Sequence, residues 1–390
     1  MGVYSEYLDR QMDFEALTAE RKKQLARIAE IRSRDVLVYA ADLNAANAPI
    51  GVQYDDLLPI NDQLANLAGE RVDLILETGG GSGEVAEDIV DLLHDKYEEV
   101  GVIVPGTAKS AGTLMVMAGN EILMEPASSL GPIDAQIQWQ GKVFSADALL
   151  EGIESIKEEV EKTGKLNKAF IPILQGISPG ELQSAENALE FARKLVTDWL
   201  VRYKFRNWDT HASTGKAVTE KERKARAREV AKKLCDHKSW LTHGRSIKLP
   251  HLEEMRLKIT NYQEEYPDLA DAMRRYHTLL RMTFESNIYK VFETPKSQIY
   301  RARQEQGVKG APMPRGQLAS AAIGYPCNNC GEQLTLQANF ADGVPIEPGA
   351  IPFPADNMLK CPQCNAENDV TEARRQVEAQ AGRPIIAQEA

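Results

Sequence analysis

VDLILETGGGSG (72–83), VGVIVPGTAKSAGTLMVMAGNEILM (100–124) and SSLGPID (128–134) decide how this chain is read. The first apolar run ends in three glycines, Gly79, Gly80 and Gly81. The second, 100–104, ends near a lone serine, Ser110, followed by Ala111-Gly112-Thr113. Short apolar runs bounded by turn residues are the mark of strands buried on both faces of a parallel sheet. One strand end thus offers backbone N–H groups and the next offers a hydroxyl.

Outward from this stretch the pattern stays regular. DVLVYAAD (35–42) reads as a buried strand, LLPINDQLANLA (57–68) as a helix and EVAEDIVDLLHDKYE (84–98) as a helix. SAGTLMVMAGN reads as a small-residue helix and EILME as a short strand. Strands alternating with helices predict an α/β domain with right-handed crossovers. Residues 5–32, without proline or glycine, read as one helix whose apolar stripe packs on the domain or on another subunit. From 145 to about 274 the chain reads mostly helical. The expected division is an N-terminal helix (1–32), an α/β domain (33–293), a Gly/Pro-containing linker (294–320), a small cysteine module (321–370) and a tail (371–390) that starts as a short helix.

The 390 residues carry 26% charged residues and a formal net charge of −11. That argues for a soluble protein and against a dedicated nucleic-acid binder. The N-terminus lacks the basic and apolar regions of a secretory signal, and no run reaches the roughly 18–20 apolar residues of a membrane span. Four of the five cysteines form two CxxC pairs, Cys327/Cys330 and Cys361/Cys364, 30 residues apart. Each pair makes a knuckle that aims two thiolates at one point. Together they predict one structural Zn²⁺ and a zinc ribbon, in a reducing, cytoplasmic compartment. Cys235 reads as a plain half-buried thiol; a catalytic pairing with His237 or His243 is the other reading.

Ser110 at a strand-to-helix junction could be only a helix cap. Its surroundings suggest more. Acyl transfer needs a nucleophile and an oxyanion hole, and both are offered here. TAKSAG is not the G-x-S-x-G elbow, because Ala108 takes the place of the first glycine, which disfavours an α/β-hydrolase. GGGSGEV lacks the Lys-Ser/Thr of a P-loop and the spacing of a dinucleotide fingerprint.

The order strand, Thr78-Gly79-Gly80-Gly81, helix, strand, Ser110-Ala111-Gly112-Thr113, helix, Leu130-Gly131-Pro132-Ile133-Asp134 resembles the Clp/crotonase superfamily. More narrowly it resembles the serine dehydrogenase proteinase family, related to signal peptide peptidase A. A histidine-containing stretch, 236–247, matches loosely. The resemblance spans roughly 33–285 and leaves out the N-terminal helix and the zinc module. Gly79 departs from the family's proline. The resemblance implies a Clp/crotonase-like parallel sheet and a serine peptidase with Ser110 as nucleophile. The Gly80 and Ala111 N–H groups would form the oxyanion hole, with Gly81 as the neighbour that could replace Gly80. It also implies a homo-oligomer: a trimer, hexamer or larger ring.

The base is less directly read. No histidine lies between His94 and His211, so a histidine shortly after the serine is absent. The resemblance to signal peptide peptidase A implies a Ser-Lys dyad, with Lys157 as the matching lysine, provided burial beside Ile153 and Val160 keeps the amine neutral. Glu154 and Glu161 lie at pairing distance and offer the bland alternative of a solvated ion pair. His243 is the alternative base; Lys109, Lys142, Lys162 and Lys165 are further candidates. Asp134 could orient a base or merely cap a turn. A non-catalytic scaffold whose ribbon binds a protein or nucleic-acid partner is the competing function, and acyl-CoA chemistry on the same loop is a third.

Overall fold

Four parallel strands of the sheet, Asp35–Ala41, Arg71–Glu77, Glu99–Val104 and Glu121–Met124, begin with a charged residue that touches solvent and then, but for Asp73 and Glu77, run apolar and buried. This is why their sequences are continuous apolar runs rather than alternations. The computed structural model describes residues 2–45, 47–139, 142–211, 214–303, 319–381 and 383–386, the side chains at 137–143 and 379–380 excepted. It divides into two units, Met1–Glu305 and Gln306–Ala390.

In the first unit, helices α1 (Val3–Asp9) and α2 (Phe14–Arg32) precede β1 (Asp35–Ala41), α3 (Leu57–Ala65), β2 (Arg71–Glu77), α4 (Gly83–Lys96) and β3 (Glu99–Val104). Then come β4 (Thr107–Ala108), α5 (Ala111–Met117), β5 (Glu121–Met124), β6 (Ser129–Leu130), and a hairpin of β7 (Gln136–Trp139) and β8 (Lys142–Ser145). A helical stretch follows: α6 (Ala146–Thr163), α7 (Ile171–Gln175), α8 (Pro179–Trp199), α9 (Glu220–Leu234), α10 (His237–Trp240) and α11 (Leu249–Glu254). The unit closes with β9 (Thr260–Asn261), α12 (Tyr262–Glu265), α13 (Pro267–Phe284), β10 (Ile288–Glu293) and β11 (Gln298–Ala302).

The main sheet has the order β11-β10-β1-β2-β3-β5-β9. Its strands from β1 to β9 are parallel, while β10 and β11 are antiparallel additions. Successive β1 residues serve opposite faces. Leu37 and Tyr39 join a core with α3, α4, α5, α8 and α9, whereas Val36, Val38 and Ala40 join one with α2 and α13. The result is helices on both faces of a mostly parallel sheet, as the alternation predicted. At the N-terminal strand ends Arg32 pairs with Asp73 (2.6 Å) and Arg34 with Glu99 (3.0 Å). The opposite ends carry the glycine loop and Ser110.

Several boundaries differ from the sequence reading. The first helix is two, because Gln11 takes a left-handed φ of 46° and Asp13 caps α2 by accepting from the Ala16 N–H. These helices belong to the first unit: Leu25 and Ile28 are fully buried, each stabilising by about 1.5–3 kcal/mol. The expected linker from 294 begins with structure, since Gln298–Ala302 is the edge strand β11, paired with β10. The rest of that linker, 304–318, lies outside the described residues.

In the second unit β12 (Ser320–Pro326) pairs antiparallel with β13 (Gln333–Asn339), which also pairs with β14 (Ile351–Pro352). β15 (Met358–Lys360) pairs with β16 (Glu367–Asp369), and α14 (Thr371–Ala381) follows. The tail is part of this core, because Val377 and Ile385 are buried with Leu336 and Phe353. No helix among the described residues is long and apolar enough to cross a membrane.

Candidate active site

The loop after β2 and the loop after β3 are stitched together by backbone. Thr78 N–H donates to the Thr107 carbonyl (2.9 Å) and Lys109 N–H to the Thr78 carbonyl (3.0 Å). This brings the glycines against Ser110. A Cβ on Gly80 would stand 2.5 Å from Ser110 Cβ, so only glycine fits. Gly80 and Gly81 also hold φ of +105° and +149°, a region that other residues avoid.

The Ser110-Ala111-Gly112-Thr113 stretch now has a reason at each position. Gly112 lets α5 approach the sheet, since a Cβ there would lie 2.5 Å from Thr78 Cγ2. The buried Thr113 hydroxyl lies 2.9 Å from both the Ala108 and Gly131 carbonyls and accepts from the Gly131 N–H (3.1 Å). It thereby ties the Leu130–Asp134 segment to the serine. Ser110 has φ 52° and ψ −118°, and its side chain caps nothing. The helix-cap reading therefore fails. A non-glycine residue in this region costs about 1–3 kcal/mol, and such strain clusters at functional sites.

A cleft of about 610 Å³ opens at this point. Gly79, Gly81, Ser110, Ala111, Asp134 and His243 line it, with Leu114, Ile133 and Phe191 on its apolar wall. Asp134 is buried and its carboxylate is fully engaged. Ser145 Oγ donates to Oδ1 (2.6 Å) and Gln136 Nε2 to Oδ2 (3.0 Å). His237 Nδ1 is 3.1 Å from Oδ2, and His243 Nδ1 is 3.7 Å from it. Burial works against the charge of Asp134. Even so, the neighbouring His243, the Ser145 hydrogen bond and the nearby His237 hold its carboxyl below the usual range.

The loop that presents His243 comes from more than 100 residues beyond Asp134, and it is fastened on two sides. Leu130 and Ile247 exchange N–H···O bonds of 2.9 Å, and Lys109 Nζ donates to the Gly244 carbonyl. Lys109, one of the candidate bases, is thus engaged with this loop. Burial and the nearby Lys248 lower its pKa.

The structure does not bring Lys157 to the cleft. Its side chain is 64% exposed on α6 and pairs with Glu154 at 3.2 Å. Ile153 and Ile156 make the buried stripe, so the burial that a neutral lysine needs is absent. Lys162 pairs with Glu158 in the same way, and Lys165 is exposed. The side chain of Lys142 lies outside the described residues. Gly80 also differs from expectation. It is buried and its N–H is bonded to Thr78 Oγ1 (3.2 Å), whereas Gly81 lines the cleft and its N–H has no acceptor among the described residues. Cys235 is buried and its thiol is pushed up to about 12 by burial, which makes it inert. His237 is the residue that sequence reasoning did not join to Asp134. The histidine-containing stretch 236–247 was its only signal.

In the second unit one sulfur from each of Cys327, Cys330, Cys361 and Cys364 lies within 4.8 Å of the others, a group that could hold a metal ion. The two knuckles are alike. Gly331 N–H donates to the Cys327 carbonyl and Asn365 N–H to the Cys361 carbonyl, both at 2.9 Å. Gly331 and Asn365 take the left-handed φ that this turn requires.

Comparison with known proteins agrees with the first unit's geometry. The chain is 28% identical over 201 residues to an uncharacterized protein of Methanocaldococcus jannaschii, covering 51% of this chain and 56% of that protein. A second uncharacterized protein of the same organism is 41% identical over 66 residues, 17% of this chain and 23% of that one. The chain therefore spans little more than half of the first relative and under a quarter of the second. Residues 7–166 match the family described as ClpP-like SDH-type serine proteinase. The match takes in α2, which the sequence resemblance left out, and ends within the helical stretch. Over residues 7–166, less than half of its length, this chain is similar to the ClpP-like SDH-type serine proteinases.

Proposed function

We propose that the protein is a serine peptidase in which Ser110 is the nucleophile, His243 the general base and Asp134 the carboxylate that orients it. One observation carries this reading: Ser110 is held in a strained backbone conformation in a cleft that Asp134 and His243 also line. His243 Nδ1 lies 3.4 Å from Gln136 Nε2 and 3.7 Å from Asp134; in this reading Nδ1 carries its proton toward Asp134 and Nε2 takes the serine proton. The 3.7 Å separation is longer than a hydrogen bond, and such contacts tighten when substrate closes the site.

In this reading His243 removes the Ser110 proton as Oγ attacks the scissile carbonyl carbon. The carbonyl oxygen becomes an oxyanion and accepts from the N–H groups of Gly81 and Ala111. The C–N bond then breaks, and His243 gives the proton to the leaving amine. Water, deprotonated by the same imidazole, hydrolyses the acyl-enzyme. The exposed glycine backbone beside the serine suits an extended peptide substrate.

The four thiols fit a structural Zn²⁺. Their closest sulfur pairs are 3.7 and 3.8 Å apart. A tetrahedron with Zn–S bonds of about 2.3 Å has edges of about 3.8 Å. Assembly into a homo-oligomer belongs to the same reading, because Leu166, Ile171 and Ile173 are left exposed.

A fluorophosphonate probe followed by peptide mapping tests the site. Ser110 should carry the label, and Ser110→Ala should lose both labelling and hydrolysis. His243→Ala should lose several orders of magnitude in rate while Lys157→Ala keeps most of it. Full hydrolysis by Ser110→Ala of a peptide that the wild type cleaves would sink the peptidase reading. An inactive Lys157→Ala beside an active His243→Ala would reverse the assignment of the base.

A further inference from the structure

The chemistry above leaves several buried charges without a role, and one of them lies behind the glycine loop. Lys290, on β10, is fully buried, which is unfavourable for an ammonium unless it is paired and hydrogen-bonded. Its Nζ donates to both carboxylate oxygens of Asp56 (2.8 Å each) and to the Gly51 carbonyl (2.7 Å). Asp56, itself buried, also accepts from the Tyr39 hydroxyl (2.7 Å) and from the Gln53 N–H (3.0 Å). The segment Gly51-Val52-Gln53 is therefore held at both ends, by the lysine and by the carboxylate.

That segment in turn grips the glycine loop. Val52 N–H donates to the Gly80 carbonyl (2.8 Å), and Ser82 N–H donates to the Val52 carbonyl (2.9 Å). A Cβ on Gly81 would stand 2.3 Å from Val52 N, so the two backbones lie flush. The Gly80 carbonyl and the Gly81 N–H belong to one planar trans peptide and point in opposite directions. Fixing that carbonyl on Val52 fixes the N–H away from Val52, and Gly81 lines the cleft.

We infer that the buried Lys290–Asp56 pair is a positioning element for the oxyanion donor: it holds Gly51-Val52-Gln53 so that Val52 locks the Gly80–Gly81 peptide with its N–H toward Ser110. The inference rests on the reading of Ser110 as nucleophile. Lys290 touches no reacting atom. It lies well beyond residue 166, so it reaches the site from outside the segment that matches the family.

The test uses the full chain and a fluorophosphonate, and it reads two quantities separately: the limiting rate of Ser110 labelling and the fraction of chains finally labelled. Lys290→Met should lower the limiting rate at least tenfold, with little change in apparent probe affinity and with labelling still reaching one per chain. Loss of a single oxyanion donor typically costs about 10²–10³, and a donor left free to turn should lose part of that. A purely structural lysine would instead lower the labelled fraction and leave the rate of the folded chains intact; that result overturns the inference. If Lys290→Met does not fold, Tyr39→Phe decides, because it removes one donor from Asp56 and keeps the ion pair. A rate about threefold lower at full labelling supports the inference, and an unchanged rate refutes it. Wild type that takes no label at Ser110 defeats the nucleophile reading itself, which separates the two failures.

Discussion

Gly80→Ala is the sharpest perturbation of this site, because its cost follows from contacts already described. The new Cβ would stand 2.5 Å from Ser110 Cβ and 2.8 Å from the Lys109 carbonyl oxygen. Neither neighbour can retreat cheaply. Lys109 is bonded through its N–H to Thr78, and Ser110 opens α5. The φ of +105° adds strain of about 1–3 kcal/mol, and overpacking adds about 1–3 kcal/mol. Together they predict a loss of about 2–6 kcal/mol, a fall in melting temperature of at least about 4 °C. Relief by moving Ser110 would misplace the proposed nucleophile, and a shift near 1 Å can lower the rate about 100-fold. Gly79→Ala is the matched control. Its Cβ would meet only Leu43 Cδ2, at an ordinary 3.5 Å, so stability should change by less than about 1 kcal/mol. Calorimetry and the rate of fluorophosphonate labelling measure both effects. A Gly80→Ala protein that melts within 1 °C of wild type and is labelled at the same rate would refute the close approach of this loop to Ser110.

Further outcomes follow from the same contacts. Purified protein should carry one zinc per chain by metal analysis, and Cys327→Ser should release it while the melting transition of the first unit persists; metal-free wild type prepared without chelator would contradict this. The Asp134 carboxyl is held low in the folded state, so its contribution to stability is present above its unfolded pKa of about 3.9 and is lost as pH falls through the lower folded value. Asp134→Asn should therefore flatten the acid limb of melting temperature against pH as well as lower peptidase activity, and an unchanged acid limb would count against its ionisation. Cys235, protonated and buried, should resist iodoacetamide in the native protein at pH 8 and react only after unfolding; mass spectrometry of the alkylated chain reads the difference.

The parallel strands were legible because each is buried on both faces, which turns sequence into apolar runs broken only by Asp73 and Glu77 after their charged first residues. The residues around the serine were legible because Gly80, Gly112 and Thr113 each answer a local demand for space or for a hydrogen bond. The base proposed here was not, because His243 comes near Asp134 through a chain separation of more than 100 residues and a loop fastened by Leu130, Ile247 and Lys109. Lys157, expected to be buried, is exposed for a helical reason. The buried stripe on α6 passes through Ile153 and Ile156, and residue 157 stands one position further round, turned to water. β11 was hidden because an edge strand needs little burial; its residues are half-exposed and polar at intervals.

The strand order also governs how this chain is made. β1 lies between β2 and β10. One edge of β1 is therefore paired by residues 71–77, while the other waits for residues 288–293. About 250 residues separate β1 from β10, which at synthesis speeds of about 5–20 residues per second leaves that edge open for roughly 12–50 s. An apolar strand with unpaired N–H and C=O groups is a template for pairing with other chains. Nascent chains arrested before β10 should therefore aggregate or be held by chaperones, and those that extend past β11 should become protease-resistant together across the sheet.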